Sequence, residues 1–178
     1  MKKQFFVNSL IYFIAIVLAC LVNFIGVSSL AVKIVNLFIV VDFYASAIIS
    51  LIMAFVVVGG VVGAMSYFEA FKSCEFAPVK LLGTLSLAGV LHLAISTLMG
   101  FHPFVAGGTK YLAGLISMGE KFDSAESTLD IYLWEYLAAF AIYFVFEIIV
   151  VELCAYIGKR KREEQIEFLK GTSGSMEY

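Results

Sequence analysis

Residues 43–68 read FYASAIISLIMAFVVVGGVVGAMSYF, a run of 26 residues that contains no charged side chain. A helix that rises about 1.5 Å per residue needs roughly 20 apolar residues to cross a hydrocarbon core about 30 Å thick. Three more runs are long enough to do the same: residues 4–32, residues 81–109 and residues 131–157, of which only the last carries charges, on three glutamates. The sequence therefore predicts an all-α integral membrane protein.

The lengths of these runs predict a four-transmembrane-helix bundle within a single domain of residues 1–158. The predicted helices cover about 5–25, 43–66, 80–101 and 131–157. The first helix is expected to end where Gly26, Ser28 and Ser29 interrupt the apolar pattern, and Asp42 is expected to cap the second. A tail that is first basic and then of mixed charge, residues 159–178, follows the last helix.

Composition excludes several classes of protein. Hydrophobic residues make up 62% of the chain and charged residues 15%, against roughly 45–50% and 25% in soluble domains. The net charge of −2 gives no reason to expect a nucleic-acid partner. The three cysteines lack the spacing of a metal or redox site, and no HExxH or GxSxG motif is present. No metal or cofactor is predicted, and an enzyme is disfavoured.

Basic residues are unevenly distributed between the segments that connect the four runs. Nine of the twelve lysines and arginines fall on one side of a four-span arrangement, and only Lys33, Lys110 and Lys121 fall on the other. Because an excess of positive charge marks the cytoplasmic side, the sequence predicts a multi-pass protein of the cell membrane with both termini cytoplasmic. The nine are Lys2, Lys3, Lys72, Lys80, Lys159, Arg160, Lys161, Arg162 and Lys170.

Residues 102–120 form an apolar segment that is interrupted by Pro103 and four glycines. Its apolar part, about 14 residues, is short for a full crossing and typical of re-entrant or interfacial segments. The sequence predicts an outer hairpin that turns at Gly107 and Gly108, with Lys110 directed to lipid headgroups. Whether the hairpin spans, re-enters or lies on the surface stays open. A re-entrant hairpin would favour a transport path, because irregular backbone inside a membrane needs protein or water around it.

Asp123, Glu126 and Asp130 follow at spacings of three and four residues, which would place them on one helical face. Three such carboxylates could hold a divalent cation. The alternating oxygen ligands and the turn glycine of a calcium loop are missing, however. Acidic residues also favour the first turn of a helix, so the preferred interpretation is the start of helix four, without a metal.

Small and polar residues recur every four positions along the third helix, from Thr84 through His92 to Gly100. Lipid provides no hydrophobic drive for helix association, so such a stripe indicates close packing between helices. Two glycines play the same role in the second helix, and packing within the chain is favoured over self-association. The residues predicted to pack are Gly59, Gly63, Ala88, Ser96 and Gly100.

Glu147 is the most costly residue to place in a membrane, and it lies on the same side of its helix as Glu135 and Tyr143. Counted from the cytoplasmic ends of their helices, Glu147 and His92 are both predicted to lie about 17–18 Å deep. His92 is therefore the predicted partner of Glu147. Two interpretations stay open: a polar clasp worth roughly 1 kcal/mol, and a relay in which the two side chains exchange protons.

Four basic residues come directly after the last helix, where such clusters bind anionic lipid headgroups. They are Lys159, Arg160, Lys161 and Arg162.

The sequence favours a non-enzymatic accessory or scaffold subunit of a membrane complex, because the broken helices and repeats of transporters are not evident in it. The predicted partners are the lipid bilayer and a membrane protein or further copies of this chain. The alternative is a small proton- or cation-coupled transporter or channel that acts as an oligomer, with Glu147 and His92 in its path.

Overall fold

The computed structural model describes residues 2–117 and 133–173. Within them, four stretches are long and apolar enough to cross a membrane: Lys3–Asn36, Tyr44–Ser73, Pro78–Leu98 and Trp134–Lys170. This confirms the predicted all-α protein with four long apolar helices. Every element in the described residues is helical: α1 Lys2–Val22, a π-helical turn Asn23–Val27, α2 Ser28–Asn36, α3 Phe43–Ser73, α4 Pro78–Leu98, α5 Pro103–Ala106, α6 Gly108–Ile116 and α7 Leu133–Ser173.

The first apolar run does not end near Gly26, as the sequence predicted, but stays helical to Asn36. Its backbone widens into the π-helical turn and so passes Gly26 without a break. Beside this turn, the buried Ser28 hydroxyl donates a hydrogen bond to Oδ1 of Asn23 over 3.0 Å. The bond gives the Ser28 hydroxyl and the Asn23 side-chain oxygen a partner within the helix, which lipid tails could not supply. With its hydroxyl paired in this way, Ser28 continues the helix.

The ends of α3 follow recognisable local chemistry. Asp42 caps the helix as predicted, because its Oδ1 accepts a hydrogen bond from the Ala45 amide over 2.7 Å. At its other end α3 continues beyond the predicted residue 66 to Ser73, and Cys74 then adopts a left-handed conformation with φ 55°. The next helix begins with Pro78, whose missing N–H costs nothing in a first helical turn.

α7 continues through the predicted tail, which is helical as far as Ser173. Exposed ion pairs four residues apart, Lys159 with Glu163 and Arg160 with Glu164, both at 3.3 Å, run along this extension. Each such pair contributes only about 0.3–0.5 kcal/mol, so the pairs add little to the stability of the extension. Arg162 also lies 5.5 Å from the centre of the Phe71 ring, which joins the extension of α7 to the end of α3.

α1 and α4 run in one direction through the bundle, and α3 and α7 run in the other. Near the start of α1, Nδ2 of Asn8 lies 3.4 Å from Oε1 of Glu69, close to the end of α3. Phe5 likewise packs beside Gly83, near the start of α4. These elements therefore share one end of the bundle with the late part of α7. We call it the basic end, because Lys72, Lys80 and residues 159–162 lie there, and we call the other the opposite end.

Glycines bring α3 and α7 into close contact. A Cβ atom at Gly59 would lie 3.1 Å from the Phe146 ring, and one at Gly63 would lie 3.0 Å from Sγ of Cys154. In return, Gly158 of α7 lies against the carbonyl oxygen of Tyr67 in α3. Gly59 and Gly63 are thus used for packing within the chain, the use that the sequence favoured.

α5 and α6 pack against α1, α3 and α7 and do not extend away from the bundle. Gly107 joins the two helices, and residues 105–109 around this junction are all buried. At the start of α5 the His102 ring meets the ring of Phe24 in the π-helical turn, with centroids 5.9 Å apart. Lys110, in the first turn of α6, is partly buried. The predicted cluster of Asp123, Glu126 and Asp130 lies outside the described residues.

Candidate functional site

Glu147 is buried at the centre of the bundle, with only 2% of its surface exposed. Tyr143 and Val151, one helical turn away on either side, belong to the main apolar core of the molecule. The Oε1 atom of Glu147 has no hydrogen-bond partner among the described residues. A carboxyl group in this position is costly and marks a candidate functional site.

Two side chains separate Glu147 from the hairpin of α5 and α6. Cys20 of α1 and Tyr143 both lie within electrostatic range of the Glu147 carboxyl group. The Tyr143 hydroxyl donates to the carbonyl oxygen of Ala54 over 3.0 Å, and its ring stacks on Phe55 at 4.8 Å. Because its proton is already donated, the Tyr143 hydroxyl keeps lone pairs with which it can accept a further hydrogen bond.

The tip of the hairpin lies directly on these two side chains. A Cβ atom at Gly107 would lie 2.5 Å from Sγ of Cys20, and one at Gly108 would lie 2.6 Å from the Tyr143 ring. Gly107 also has φ 51°, a conformation that glycine adopts far more readily than other residues. Both positions therefore require glycine, and the turn that the sequence predicted at these residues is inserted into the core.

His92 holds the hairpin from the side of α4. Its Nε2 atom lies 2.7 Å from the carbonyl oxygen of Val105, at the end of α5. A carbonyl oxygen only accepts, so Nε2 carries the proton in this bond. The imidazole is 2% exposed and lies 6.2 Å from the Phe140 ring, measured between centroids. His92 thus binds the backbone of the hairpin.

The predicted contact between His92 and Glu147 is therefore corrected. His92 lies level with Phe140, seven residues before Glu147, which corresponds to about 10 Å along α7. The depth estimate assumed that α4 and α7 enter the membrane level with Lys80 and Gly158. Instead Phe76 contacts Tyr156, at 6.0 Å between ring centroids, while Gly158 packs beyond the start of α4 against Tyr67. α4 begins further into the bundle than the count assumed.

The start of α6, at the tip of the hairpin, has no side-chain cap and carries an unpaired hydroxyl oxygen among the described residues. No side chain caps its N-terminus at Gly108. Next to it, the buried Thr109 has a hydroxyl oxygen without a hydrogen-bond partner among the described residues. The first amide groups of a helix carry a partial positive charge. Gly108, at the start of α6, contacts the ring of Tyr143, which precedes Glu147 by one helical turn on α7.

The remaining predicted packing residues differ in their surroundings. Ala88 and Ser96 are fully buried in α4, and Ala88 belongs to the main core. Gly100 lies beyond the end of α4 with φ 59° and has open space where a Cβ atom would be. Its predicted role in helix packing is therefore replaced by a role in the turn, where the Phe101 amide bonds to the carbonyl oxygen of Ser96 over 2.8 Å.

Several residues of the site were not singled out by the sequence: Cys20, Thr109 and Val105. No local pattern identifies them, because each becomes relevant only when the hairpin enters the core. In residues 2–117 and 133–173, no three His, Cys, Asp or Glu side chains form a group that could hold a metal ion. Comparisons with known protein families, with curated proteins and with solved structures gave no match to this chain.

Proposed function

We propose that the chain lies in the cell membrane with its basic end in the cytoplasm and that α5 and α6 form a re-entrant hairpin from the outer side. The clustering of lysine and arginine at the basic end supports this orientation. The complete burial of residues 105–109 against three of the long helices supports the hairpin. Backbone that leaves regular helix at membrane depth survives only where protein or water surrounds it.

On this basis we propose that the protein moves protons across the membrane, with Glu147 as the group that carries them. The observation that supports this most directly is the buried Oε1 atom of Glu147, which lacks a hydrogen-bond partner among the described residues. Membrane carboxyl groups of this kind commonly lie on ion or proton paths. A helix that begins inside the bundle, as α6 does at the buried Gly108, is also a common feature of transport sites.

In this mechanism the Glu147 carboxylate takes up one proton from one side and later returns it to the other, with no other bond formed or broken. While it is charged, the Cys20 thiol and the Tyr143 hydroxyl lie within electrostatic range of it. His92 does not carry the proton in this proposal. It positions the hairpin by its bond to Val105, so the tip stays in contact with Cys20 and Tyr143.

The test is proton flux into proteoliposomes that enclose a pH-sensitive dye. The wild-type protein is expected to exceed empty liposomes, and Glu147→Gln is expected to reduce the flux at least tenfold, because an amide does not exchange a proton. Glu152→Gln, a half-exposed position on the same helix, is the matched control and should retain flux. Thermal melting of all three proteins checks that they are folded. Absence of wild-type flux, or full flux in Glu147→Gln, would refute the proposal.

An accessory or scaffold subunit is the second candidate, and a specific observation favours it. A cavity at the basic end extends to Ala155 but is not lined by Glu147. Between them lie Val62, Leu85 and Val151, none of which has exposed surface. A bundle that is closely packed through its glycines is suited to holding a partner in place. This candidate predicts no flux in any variant, and a stoichiometric partner that can be cross-linked in the native membrane and survives Glu147→Gln.

A further inference from the structure

A cavity of about 490 Å³ opens at the basic end between α1, α3, α4 and α7. It exists because α4 begins at Pro78 while α3 and α7 continue further, so no helix fills the space below the start of α4. Sites for small molecules typically have volumes of roughly 300–1,000 Å³. The cavity is therefore large enough for a small ligand.

The closed end of the cavity offers hydrogen-bond acceptors and no spare donors. Ser66 and Thr84 line it and are 1% and 3% exposed. The Ser66 hydroxyl donates to the carbonyl oxygen of Gly63, and the Thr84 hydroxyl donates to that of Lys80, both over 2.9 Å. Each hydroxyl has one proton, so only lone pairs are left for a ligand. Glu69 adds a carboxylate to the same wall. Such an end favours a group rich in N–H donors, as an ammonium ion is.

The mouth of the cavity is lined by two lysines and by one exposed carboxylate, that of Glu75. Lys72 and Lys80 line it, and both are exposed. Among the described residues the ion pairs are those of the α7 extension, and neither lysine belongs to one. Two ammonium groups match the double negative charge of a phosphate monoester. The two lysines lie nearer the mouth than Ser66 and Thr84, which lie further along their helices into the bundle.

We propose that this cavity binds a ligand that carries both an amine and a phosphate, with the amine near Ser66 and Thr84 and the phosphate between Lys72 and Lys80. Such a group occurs in free amine phosphates and in the headgroup of phosphatidylethanolamine. The proposal is independent of proton movement through Glu147, because the cavity and Glu147 share no residue.

The probe is O-phosphoethanolamine, titrated calorimetrically into the purified full-length protein in detergent. Saturable binding is expected, and inorganic phosphate or ethanolamine alone should bind at least tenfold more weakly because each fills half of the site. Thr84→Val keeps the shape of the side chain but removes the acceptor, and Lys80→Gln removes a cation. Each should weaken binding about tenfold.

Thr97→Val is the matched control, because Thr97 lies on the same helix and makes the same bond to the carbonyl oxygen four residues earlier, Leu93, but is exposed and far from the cavity. It should bind the probe as the wild type does. No saturable binding, equal binding of phosphate alone, or wild-type affinity in both Thr84→Val and Lys80→Gln would overturn the proposal.

The lipid and the free compound are distinguished in nanodiscs. In discs of phosphatidylglycerol the protein should bind O-phosphoethanolamine. If phosphatidylethanolamine added to the discs weakens that binding, the cavity takes the lipid headgroup. If it has no effect, the cavity takes the free amine phosphate. Both results support the shared chemistry, and failure to bind in phosphatidylglycerol discs contradicts it.

Discussion

Gly158 shows how much the packing of α3 against α7 depends on a single missing methyl group. A Cβ atom at this position would overlap the carbonyl oxygen of Tyr67, which is backbone and cannot move aside cheaply. The same helix pair contains Gly60, where a Cβ atom would meet nothing within 4 Å. The tertiary contact of Gly158 with Tyr67 therefore distinguishes the two glycines.

We therefore expect Gly158→Ala to destabilise the protein by about 1–3 kcal/mol, the usual cost of overpacking. Gly60→Ala should be neutral or stabilise by up to about 1 kcal/mol, because alanine is the better helix former. Thermal melting in detergent, followed by circular dichroism, measures both. Equal melting temperatures for the two variants would show that α3 and α7 are not in this register.

The single residue His92 should control how readily a reagent reaches the thiol of Cys20. The bond from Nε2 to Val105 holds the hairpin, whose Gly107 covers the Cys20 thiol. His92→Ala removes a bond worth roughly 1 kcal/mol, so the hairpin should open more often and Cys20 should react several-fold faster. His92→Gln keeps an N–H donor and should protect the thiol better.

A membrane-permeant thiol reagent measures this rate, with Cys74 and Cys154 replaced by serine and alanine so that only Cys20 can react. If Cys20 reacts equally fast in wild type, His92→Gln and His92→Ala, the imidazole does not hold the hairpin.

Some helix ends and turns in this chain are set by neighbouring residues in the sequence, and others lie at contacts between distant segments. Asp42 before α3 and Pro78 at the start of α4 act through their own backbone neighbours, and the sequence is enough to recognise them. The π-helical turn is different. It lies where α5 meets the first helix, through the rings of Phe24 and His102, so it takes part in a contact between distant segments.

The hairpin allows a test at the scale of elements, because two glycines flank α5 with similar positive φ angles. Gly100 has φ 59° and open space around it, whereas Gly107 has φ 51° and lies against Cys20. Gly100→Ala should cost about 1 kcal/mol for the backbone alone. Gly107→Ala should cost at least about 2 kcal/mol more, because the added methyl group overlaps Sγ of Cys20.

Thermal melting compares the two alanine variants with the wild type. The same loss at both glycines would mean that the hairpin tip does not enter the core. A larger loss at Gly100 would contradict the described contacts outright.

On the scale of the whole molecule, the four long helices place both ends of the described chain at the basic end. Arg162 near Phe71 and Asn8 near Glu69 establish this arrangement independently of charge. Large apolar side chains are exposed along the outside of the bundle, for example Leu18, Ile52 and Ile149. Lipid tails solvate such a surface, so its exposure carries no penalty in a membrane.

The proposed orientation predicts which thiols an impermeant reagent can reach in intact cells. Val40→Cys, at a position that is 96% exposed at the opposite end, should be labelled. The native Cys74 and an introduced Gln165→Cys, both at the basic end, should be protected until the cells are opened. Labelling of Cys74 and Gln165→Cys but not Val40→Cys would invert the orientation. Labelling of Gln165→Cys together with Val40→Cys would require an odd number of crossings.

The sequence by itself determined the membrane class, the four long helices, the cap at Asp42 and the turn at Gly107 and Gly108. Each of these features follows from the length of an apolar run, from its charge or from a local backbone preference. All three are properties of residues that are close together in the sequence. It also identified Glu147 as a costly residue, because a carboxyl group in the middle of a long apolar run is expensive to place in a membrane.

Only the tertiary structure decided the offset between α4 and α7, and with it the partners of His92 and Glu147. That offset depends on where Phe76, Gly89 and Gly158 find space against side chains and backbone of other helices, which no periodicity within one helix records. For the same reason the sequence could predict a turn at Gly107 but not its insertion beneath Cys20. Burial of that turn is a property of the three helices that surround it.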